Sequence, residues 1–300
     1  MDTTPRWLWA FLLGIGAVTV PFATHLMASP QGPPAQPSQR ATLKPAAAKA
    51  PNIPLEAYDF QTEEQLFALA NQARRQAGAP PLKIDEGLSQ AARIHAQAMR
   101  EARRLSHQFD GEAALPQRLA ATTQLQLEQE GENVALDYDA EHGHEHLMLS
   151  PPHRANLLNP AYNVVGLGVI RNGDRLYIVQ DFGSALPKYS PAEVKAHVAA
   201  AVNQTRRQDR RPGLQRRDWL GADDAACSMA QADKLGTAPV LKLAESFNVV
   251  TYTSLHPETL PGGAARAVAG RNLRSYSVGA CYGRTETYPT GVYWLVLSLE

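Results

Sequence analysis

The sequence has little that would point directly to a common biochemical activity. Its 29 basic and 29 acidic residues balance, so no overall field would draw the chain to nucleic acid or to an anionic membrane. It also has no glycine-rich loop of the kind that cradles a phosphate. The function must therefore be sought in local features of the chain.

Cysteine is equally scarce, since the chain has only Cys227 and Cys281. In an oxidising compartment, two cysteines are expected to form a single disulfide bond. Evidence that the chain reaches such a compartment comes from its N-terminus. There, Arg6 precedes an apolar run over residues 7–20, and a weaker apolar tail ends at Ala28.

Residues 1–28 are predicted to be a signal peptide, because a basic residue followed by a short apolar run is typical of secretory signals. Read through to Ala28, the segment approaches the roughly 20 apolar residues of a membrane span, so an uncleaved membrane anchor is the alternative. Either interpretation makes the rest of the chain secreted, periplasmic or cell-surface. Residues 29–57 are rich in proline and alanine and are predicted to be a disordered linker, because they could not bury a core.

Folded sequence is predicted to begin near Tyr58. A capping pattern at Thr62 and an apolar stripe behind it predict one helix, and a second is predicted from about Glu86. The region ends in a predicted hairpin around Asn172-Gly173, a pair that favours a tight turn between strands. Residues 58–186 are therefore predicted to form one domain.

Residues 190–300 read as a shortened copy of that domain. Matching positions in the two segments are Asn71, Arg74 and Leu82 with Asn203, Arg206 and Leu214, then Ala91-Ala92 with Ala225-Ala226, and Val165-Gly166 with Val278-Gly279. The spacing falls from 134 (225 − 91) to 113 (279 − 166), so about twenty residues are missing from the middle of the copy. The missing region is predicted to be the one that holds Glu132, Ser150 and His153 in the first copy. The alternative is that two unrelated segments share a helix-then-hairpin order by chance.

Two motifs carry a family resemblance. The segment Gly131-Glu132-Asn133-Val134-Ala135 precedes Ser150-Pro151-Pro152-His153-Arg154 by about twenty residues. Together with Leu105-Ser106-His107, this pattern resembles the bacterial branch of the CAP superfamily of cysteine-rich secretory proteins, antigen 5 and pathogenesis-related proteins. The resemblance implies an α+β fold, an α-β-α sandwich, here followed by the degenerate CAP-like repeat.

The resemblance also implies a central cleft that gathers His107, Glu132 and His153. Two imidazoles and a carboxylate could ligate Zn²⁺ or another divalent metal, with Asn133, Ser150 and Arg154 supporting them. The same trio could serve as an acid and base set with Glu132 as the catalytic base, or could simply join loops by hydrogen bonds. Ser150 stands where the eukaryotic pattern has a further acidic residue, so one ligand of the family's set is missing.

The leading functional hypothesis is a non-catalytic module that binds a lipid or another cell-envelope component through this cleft and the groove beside it. A metal-assisted hydrolase and a purely structural or interaction protein are the alternatives. Export argues against a nucleic-acid partner. His95 lies on the apolar stripe of its helix and is predicted to be a hydrogen-bonded core residue.

Overall fold

A computed structural model describes residues 58–300. The predicted signal or anchor at 1–28 and the predicted linker at 29–57 lie outside the described residues. Within 58–300, none of the helices has the length and apolar character needed to cross a bilayer.

Residues 58–186 form an α-β-α sandwich. Its elements are α1 (Phe60–Gln76), β1 (Lys83–Ile84), α2 (Glu86–Ala102), α3 (Leu115–Thr122), β2 (Gln126–Asp137), α4 (Ala140–Leu149), α5 (Pro151–Leu158), β3 (Val164–Asn172) and β4 (Arg175–Leu186). The sheet has the order β1-β3-β4-β2, so β2 is an edge strand. Alternate residues of β3 face opposite layers: Leu167 and Val169 pack against α1, α4 and α5, whereas Ile170 packs against α2.

The helix starts follow from side-chain caps. Asp59 accepts a hydrogen bond from the backbone nitrogen of Thr62 and caps α1. The predicted cap at Thr62 is therefore three residues late. Asp85 caps α2 by accepting from the nitrogen of Leu88, and the predicted turn at Asn172-Gly173 is confirmed, with a positive φ of 64° at Gly173.

Residues 191–299 repeat the strand order of the first sheet, now as β5-β7-β8-β6. The elements are α6 (Pro191–Gln208), β5 (Gln215–Arg216), α7 (Ala222–Ala232), α8 (Ala238–Ala244), β6 (Asn248–Ser254), α9 (Gly262–Val268), β7 (Ser275–Gly283) and β8 (Val292–Leu299). As in the first sheet, the short strand β5 is parallel to its neighbour and the other pairs are antiparallel.

A buried arginine makes equivalent contacts in the two halves. Arg74 donates from Nε to the carbonyl of Pro80 and from one terminal nitrogen to the carbonyls of Leu157 and Asn159. The arginine 132 positions later (206 − 74) does the same, and its acceptors are the carbonyls of Pro212, Val268 and Gly270. The two proline acceptors also lie 132 positions apart (212 − 80). The acceptors at the helix ends, Leu157 with Val268 and Asn159 with Gly270, lie 111 positions apart (268 − 157, 270 − 159). Helix α9 therefore corresponds to α5.

The structure corrects two of the predicted matches. Arg103 and Asp233 have a left-handed backbone conformation and end α2 and α7, respectively. Equivalent residues of the two helices are therefore 130 positions apart (233 − 103), one helical turn less than the predicted 134. Gly168 and Gly279 each lie so close to an alanine backbone, at Ala92 and Ala222, that a side chain would not fit. Gly279 thus matches Gly168 rather than Gly166, a shift of two residues along the strand.

The missing residues also lie elsewhere than predicted. Glu132 of β2 pairs with Asp181 of β4, and Val249 of β6 pairs with the equivalent Ser298 of β8, so Val249 takes the place of Glu132. The spacing of 111 between α5 and α9 likewise makes Ala264 the equivalent of His153. These positions are substituted rather than deleted. What the second half lacks is α4 and most of the segment between α2 and α3.

Polar contacts join the two halves. The guanidinium of Arg284 donates to the carbonyls of Ala120 and Thr123 at the end of α3, at 2.9 and 2.8 Å. Thr290 bonds through its hydroxyl to both the nitrogen and the oxygen of Leu127. These bonds satisfy backbone groups at the end of α3 and at the irregular start of β2.

The predicted disulfide between Cys227 and Cys281 is confirmed, with a Cα–Cα distance of 5.0 Å. It links α7 to β7 within the second half. No free cysteine occurs among residues 58–300.

Replacing either buried arginine by methionine should destabilise the protein by at least about 3 kcal/mol, because several buried carbonyls would lose their donor. Urea unfolding would measure the loss for Arg74→Met and Arg206→Met. The neighbours Arg75 and Arg207 are exposed, so Arg75→Met and Arg207→Met serve as controls and should change stability by less than about 0.5 kcal/mol. Equal effects at buried and exposed positions would contradict the role of the buried pair.

Removing the disulfide should cost roughly 2–5 kcal/mol, since it closes a loop of 54 positions. Thermal unfolding of the Cys227→Ser, Cys281→Ser variant should show a lower midpoint than the oxidised protein. Reducing agent should lower the midpoint of the wild type and leave that of the double variant unchanged. An unchanged wild-type midpoint would speak against a stabilising bond.

Candidate functional site

The candidate site lies at the edge strand β2, where the two helical layers meet. Glu132 is buried on the face of β2 that packs toward α2. One carboxylate oxygen accepts from Nδ1 of His107 at 2.8 Å. The other forms a buried ion pair with the guanidinium of Arg118 on α3. Both oxygens of Glu132 are therefore occupied.

Arg118 organises the segment before α3 as well as the carboxylate. Its second terminal nitrogen donates to the backbone oxygen of His107 at 2.8 Å, and Glu112 lies 3.6 Å away. The predicted trio did not include this arginine. A basic residue fourteen positions before a buried glutamate (132 − 118) carries no local sequence signal of such a pairing.

His95 on α2 lies beneath the segment that carries His107 and is fully buried, as predicted. Its Nε2 is 2.8 Å from the carbonyl of Ser106, and its Nδ1 is 2.7 Å from the carboxylate of Glu112. Because a carbonyl can only accept, Nε2 carries a proton. His95 thus holds the segment that presents His107.

Asp181 is a buried acidic residue that sequence reasoning missed. It lies opposite Glu132 in the β2–β4 ladder, and neither carboxyl oxygen has a hydrogen-bond partner among the described residues. Burial, followed by the negative charge of Glu132, raises the pKa of Asp181 well above its usual value. The signal in the sequence was a charged residue within the predicted strand Leu176 to Phe182, whose other residues apart from Gln180 are apolar or aromatic.

His153 reaches the site from α5 on the other helical layer. Its backbone oxygen accepts from Asn133 at 3.1 Å, and Asn156 donates to the backbone oxygen of Glu132 and to the side chain of Asn133. Burial and then the positive charge of His107 lower the pKa of His153. Of the two predicted histidines, His107 contacts the carboxylate of Glu132, and His153 joins the site through the backbone hydrogen bond from Asn133.

Ser150 and Arg154, the other two predicted supporting residues, make no side-chain hydrogen bond to the described residues of the site. Ser150 occupies the N-cap position of α5 without a side-chain cap bond. Arg154 is exposed, and no ion pair to it is found within residues 58–300. Asn133 is therefore the predicted supporting residue that takes part in the hydrogen bonds of the site.

The site fits a three-ligand metal centre poorly. No group of three or more histidine, cysteine, aspartate or glutamate side chains in the described part of the chain is placed to hold a metal ion. The guanidinium of Arg118 already compensates the charge of Glu132, and a metal ligand would have to give up that ion pair. His107 and His153 alone would supply two nitrogen donors.

The second half has no comparable polar cluster. The positions equivalent to the polar side chains of the first half are mostly apolar: His95, Glu132, Asn133, Gln180 and Asp181 correspond to Ala225, Val249, Val250, Leu297 and Ser298. The chemistry of the site is therefore confined to the first half.

An apolar groove lies next to the site, at the junction of α4 and α5. It has a volume of about 420 Å³ and is lined by Met148, Leu149, Pro151, Arg154, Ala155 and Leu158. The side chain of Leu149 is 71% exposed. Leu149 and the neighbouring lining residues thus form a small apolar surface beside the guanidinium of Arg154, which makes no ion pair within residues 58–300.

Comparisons with known proteins agree with this architecture. Residues 67–182 match the model of the CAP family, described as the cysteine-rich secretory protein family. Over 153 residues, the chain is 30% identical to the uncharacterized protein YkwD of Bacillus subtilis (strain 168), covering 46% of this chain and 59% of that protein. The chain thus spans less than two thirds of this relative's length.

Two solved structures are similar at a lower level. One is an extracellular protein containing a SCP domain from Bacillus anthracis, with 27% identity, a TM-score of 0.38, and coverage of 42% of this chain and 41% of that chain. The other is Na-ASP-1, with 8% identity, a TM-score of 0.44, and coverage of 81% of this chain and 90% of that chain.

Zinc titration tests the metal prediction directly. We expect no saturable binding to the wild type, because Arg118 occupies the carboxylate that would complete the site. Arg118→Gln should gain zinc affinity by releasing Glu132, and His107→Ala in that background should remove the gain. Calorimetry would measure both. Saturable zinc binding by the wild type that His107→Ala abolishes would show that the ion pair yields to a metal.

Proposed function

We propose that this chain, whose residues 67–182 form a CAP domain, is an extracytoplasmic binding module for an anionic amphiphile of the cell envelope. The observation that carries the proposal is the groove at the α4–α5 junction, which combines exposed apolar side chains with the exposed guanidinium of Arg154. The alkyl chain would lie along Leu149 and Leu158, and the anionic head would face the guanidinium.

The groove has the chemistry that such a ligand requires. Burying alkyl carbons against apolar side chains contributes about 0.8 kcal/mol per methylene. A guanidinium binds carboxylate or phosphate through two parallel hydrogen bonds and is readily desolvated. A fatty acid or an anionic lipid supplies both parts, whereas a neutral sugar polymer supplies neither.

The contacts of Glu132 favour binding over hydrolysis. A general base needs a free carboxylate oxygen within reach of the proton it takes. In this site one oxygen is held by His107 and the other by Arg118. The cleft therefore serves to brace the segment before α3 and the start of α5 beside the groove.

We also infer that residues 190–300 are a shortened copy of the CAP domain at 58–186. The common strand order and the matched contacts of Arg74 and Arg206 support this duplication. The copy has mostly apolar residues in place of the polar cluster, which suits a supporting role. Arg284 and Thr290 join it to the first half through hydrogen bonds. The apolar run at 7–20 and the disulfide support export to an oxidising compartment.

Fatty-acid binding tests the proposal. Displacement of a fluorescent fatty acid from the full chain should show saturable binding of dodecanoate. Leu149→Asp should weaken it about tenfold or more, because a charge in the groove opposes the alkyl chain. Arg154→Gln should weaken dodecanoate but leave the neutral dodecanol unaffected.

Leu241→Asp provides the matched control, since Leu241 is a similarly exposed leucine in the second half. All variants share the same N-terminus, so any binding to the apolar segment at residues 7–20 cancels in the comparison. Equal affinities of wild type, Leu149→Asp and Leu241→Asp would refute the groove as the binding site.

A further inference from the structure

The second half contains a cavity between α6 and α9. It has a volume of about 490 Å³, within the range of about 300–1,000 Å³ that small-molecule sites occupy. Its walls are the C-terminal half of α6, the turn at residues 258–260, and α9. The predicted cleft and the apolar groove at the α4–α5 junction, called the amphiphile groove below, both belong to the first half, so this cavity is a separate site.

The absence of α4 explains this cavity. In the first half α1 packs against α4, and Leu69 joins the apolar cluster there. The equivalent residue of α6, 132 positions later, is Ala201, which lines the cavity. In the first half α4 lies between β2 and α5, whereas in the second half no helix lies between β6 and α9. The space that α4 fills in the first half is therefore open in the second.

The cavity walls differ in chemistry from the equivalent surface of the first half. On α5, Arg154, Ala155 and Leu158 line the amphiphile groove. The residues 111 positions later on α9 line the cavity, and they are Ala265, Arg266 and Ala269. The same helix face thus carries a groove in each half, apolar in one and mainly polar in the other.

Both donors and acceptors line the cavity. Its polar lining residues supply two amides, two hydroxyls, two carboxylates and a guanidinium, from Gln204, Gln208, Thr205, Thr259, Asp209, Glu258 and Arg266. Small side chains such as Ala201 leave the room between them. The apolar lining residues are Leu260 and three alanines, which can pack against the carbon face of a small ring but are interrupted by polar groups along the length of an alkyl chain. A simple anion would meet the negative charges of Asp209 and Glu258.

One wall of the cavity is held in place from the first half. Nδ1 of His256 lies 3.1 Å from the carboxylate of Glu258, and its Nε2 lies 2.7 Å from Glu128 at the start of β2. A carboxylate that is positioned before a ligand arrives loses less conformational freedom on binding. This contact makes Glu258 a fixed acceptor.

We propose that the cavity between α6 and α9 binds a short, hydroxyl-rich saccharide of one or two rings. Each sugar hydroxyl both donates and accepts, which matches walls that offer amides, hydroxyls and opposite charges side by side. This site is separate from the amphiphile groove and goes beyond the proposed function. The module would then recognise two chemically different components, one through each half.

Titration of the full chain with two soluble disaccharides, N,N′-diacetylchitobiose and maltose, tests the proposal. At least one should bind saturably with a dissociation constant in the millimolar range or tighter. Gln204→Ala with Gln208→Ala should weaken binding about fivefold or more, because two hydrogen-bonding groups are lost. Ala265→Phe should block binding by filling the cavity. Circular dichroism would verify that each variant is folded.

The chain supplies its own matched control. Gln72 and Gln76 are exposed on α1 at the positions equivalent to Gln204 and Gln208, so Gln72→Ala with Gln76→Ala should leave saccharide binding unchanged. Absence of saturable binding up to about 10 mM, or an equal loss in both pairs of variants, would overturn the proposal. Fatty-acid displacement by the same variants would show separately whether the amphiphile groove still functions.

Discussion

Each half of this protein depends on one buried arginine that bonds to backbone carbonyls from separate parts of the chain. Arg74 joins α1 to the turn before β1 and to the end of α5, and Arg206 does the same for α6 and α9. A buried guanidinium is stable only when its donors are satisfied, so the turn and the helix end must both be in place around it. This requirement fixes where α5 and α9 end, and those helices carry the two grooves.

The polar cluster of the first half follows a similar rule of compensation. Glu132 is buried with Arg118 and His107, and burial, followed by the negative charge of Glu132, raises the pKa of Asp181. The second half avoids this burial of charge by placing Ala225 and Val249 where the first half has His95 and Glu132. The same backbone therefore supports a charged interior in one half and an apolar interior in the other.

The two halves differ most where α4 is present in one and absent in the other. With α4 present, its last residues and α5 form an apolar groove beside Arg154. Without α4, the matching face of α9 and the side of α6 enclose a polar cavity. The presence or absence of this helix, together with the different side chains on α5 and α9, thus gives the two surfaces different shapes and different chemistry.

The sequence by itself determined the features that depend on local spacing. It predicted the hairpin at Asn172-Gly173, the pairing of Cys227 with Cys281, and the matching of Arg74 with Arg206. The family resemblance implied that His107 and Glu132 share a cleft and left the nature of their contact open. It misplaced α7 by one helical turn and β7 by two residues, because apolar patterns repeat with those periods and fit either register equally well. Only the tertiary structure decided that Arg118 would reach Glu132, that Asp181 would lie opposite it, and that the absence of α4 would open a cavity. These outcomes depend on groups far apart in the chain meeting across a packed interior, and no local pattern records which groups will meet.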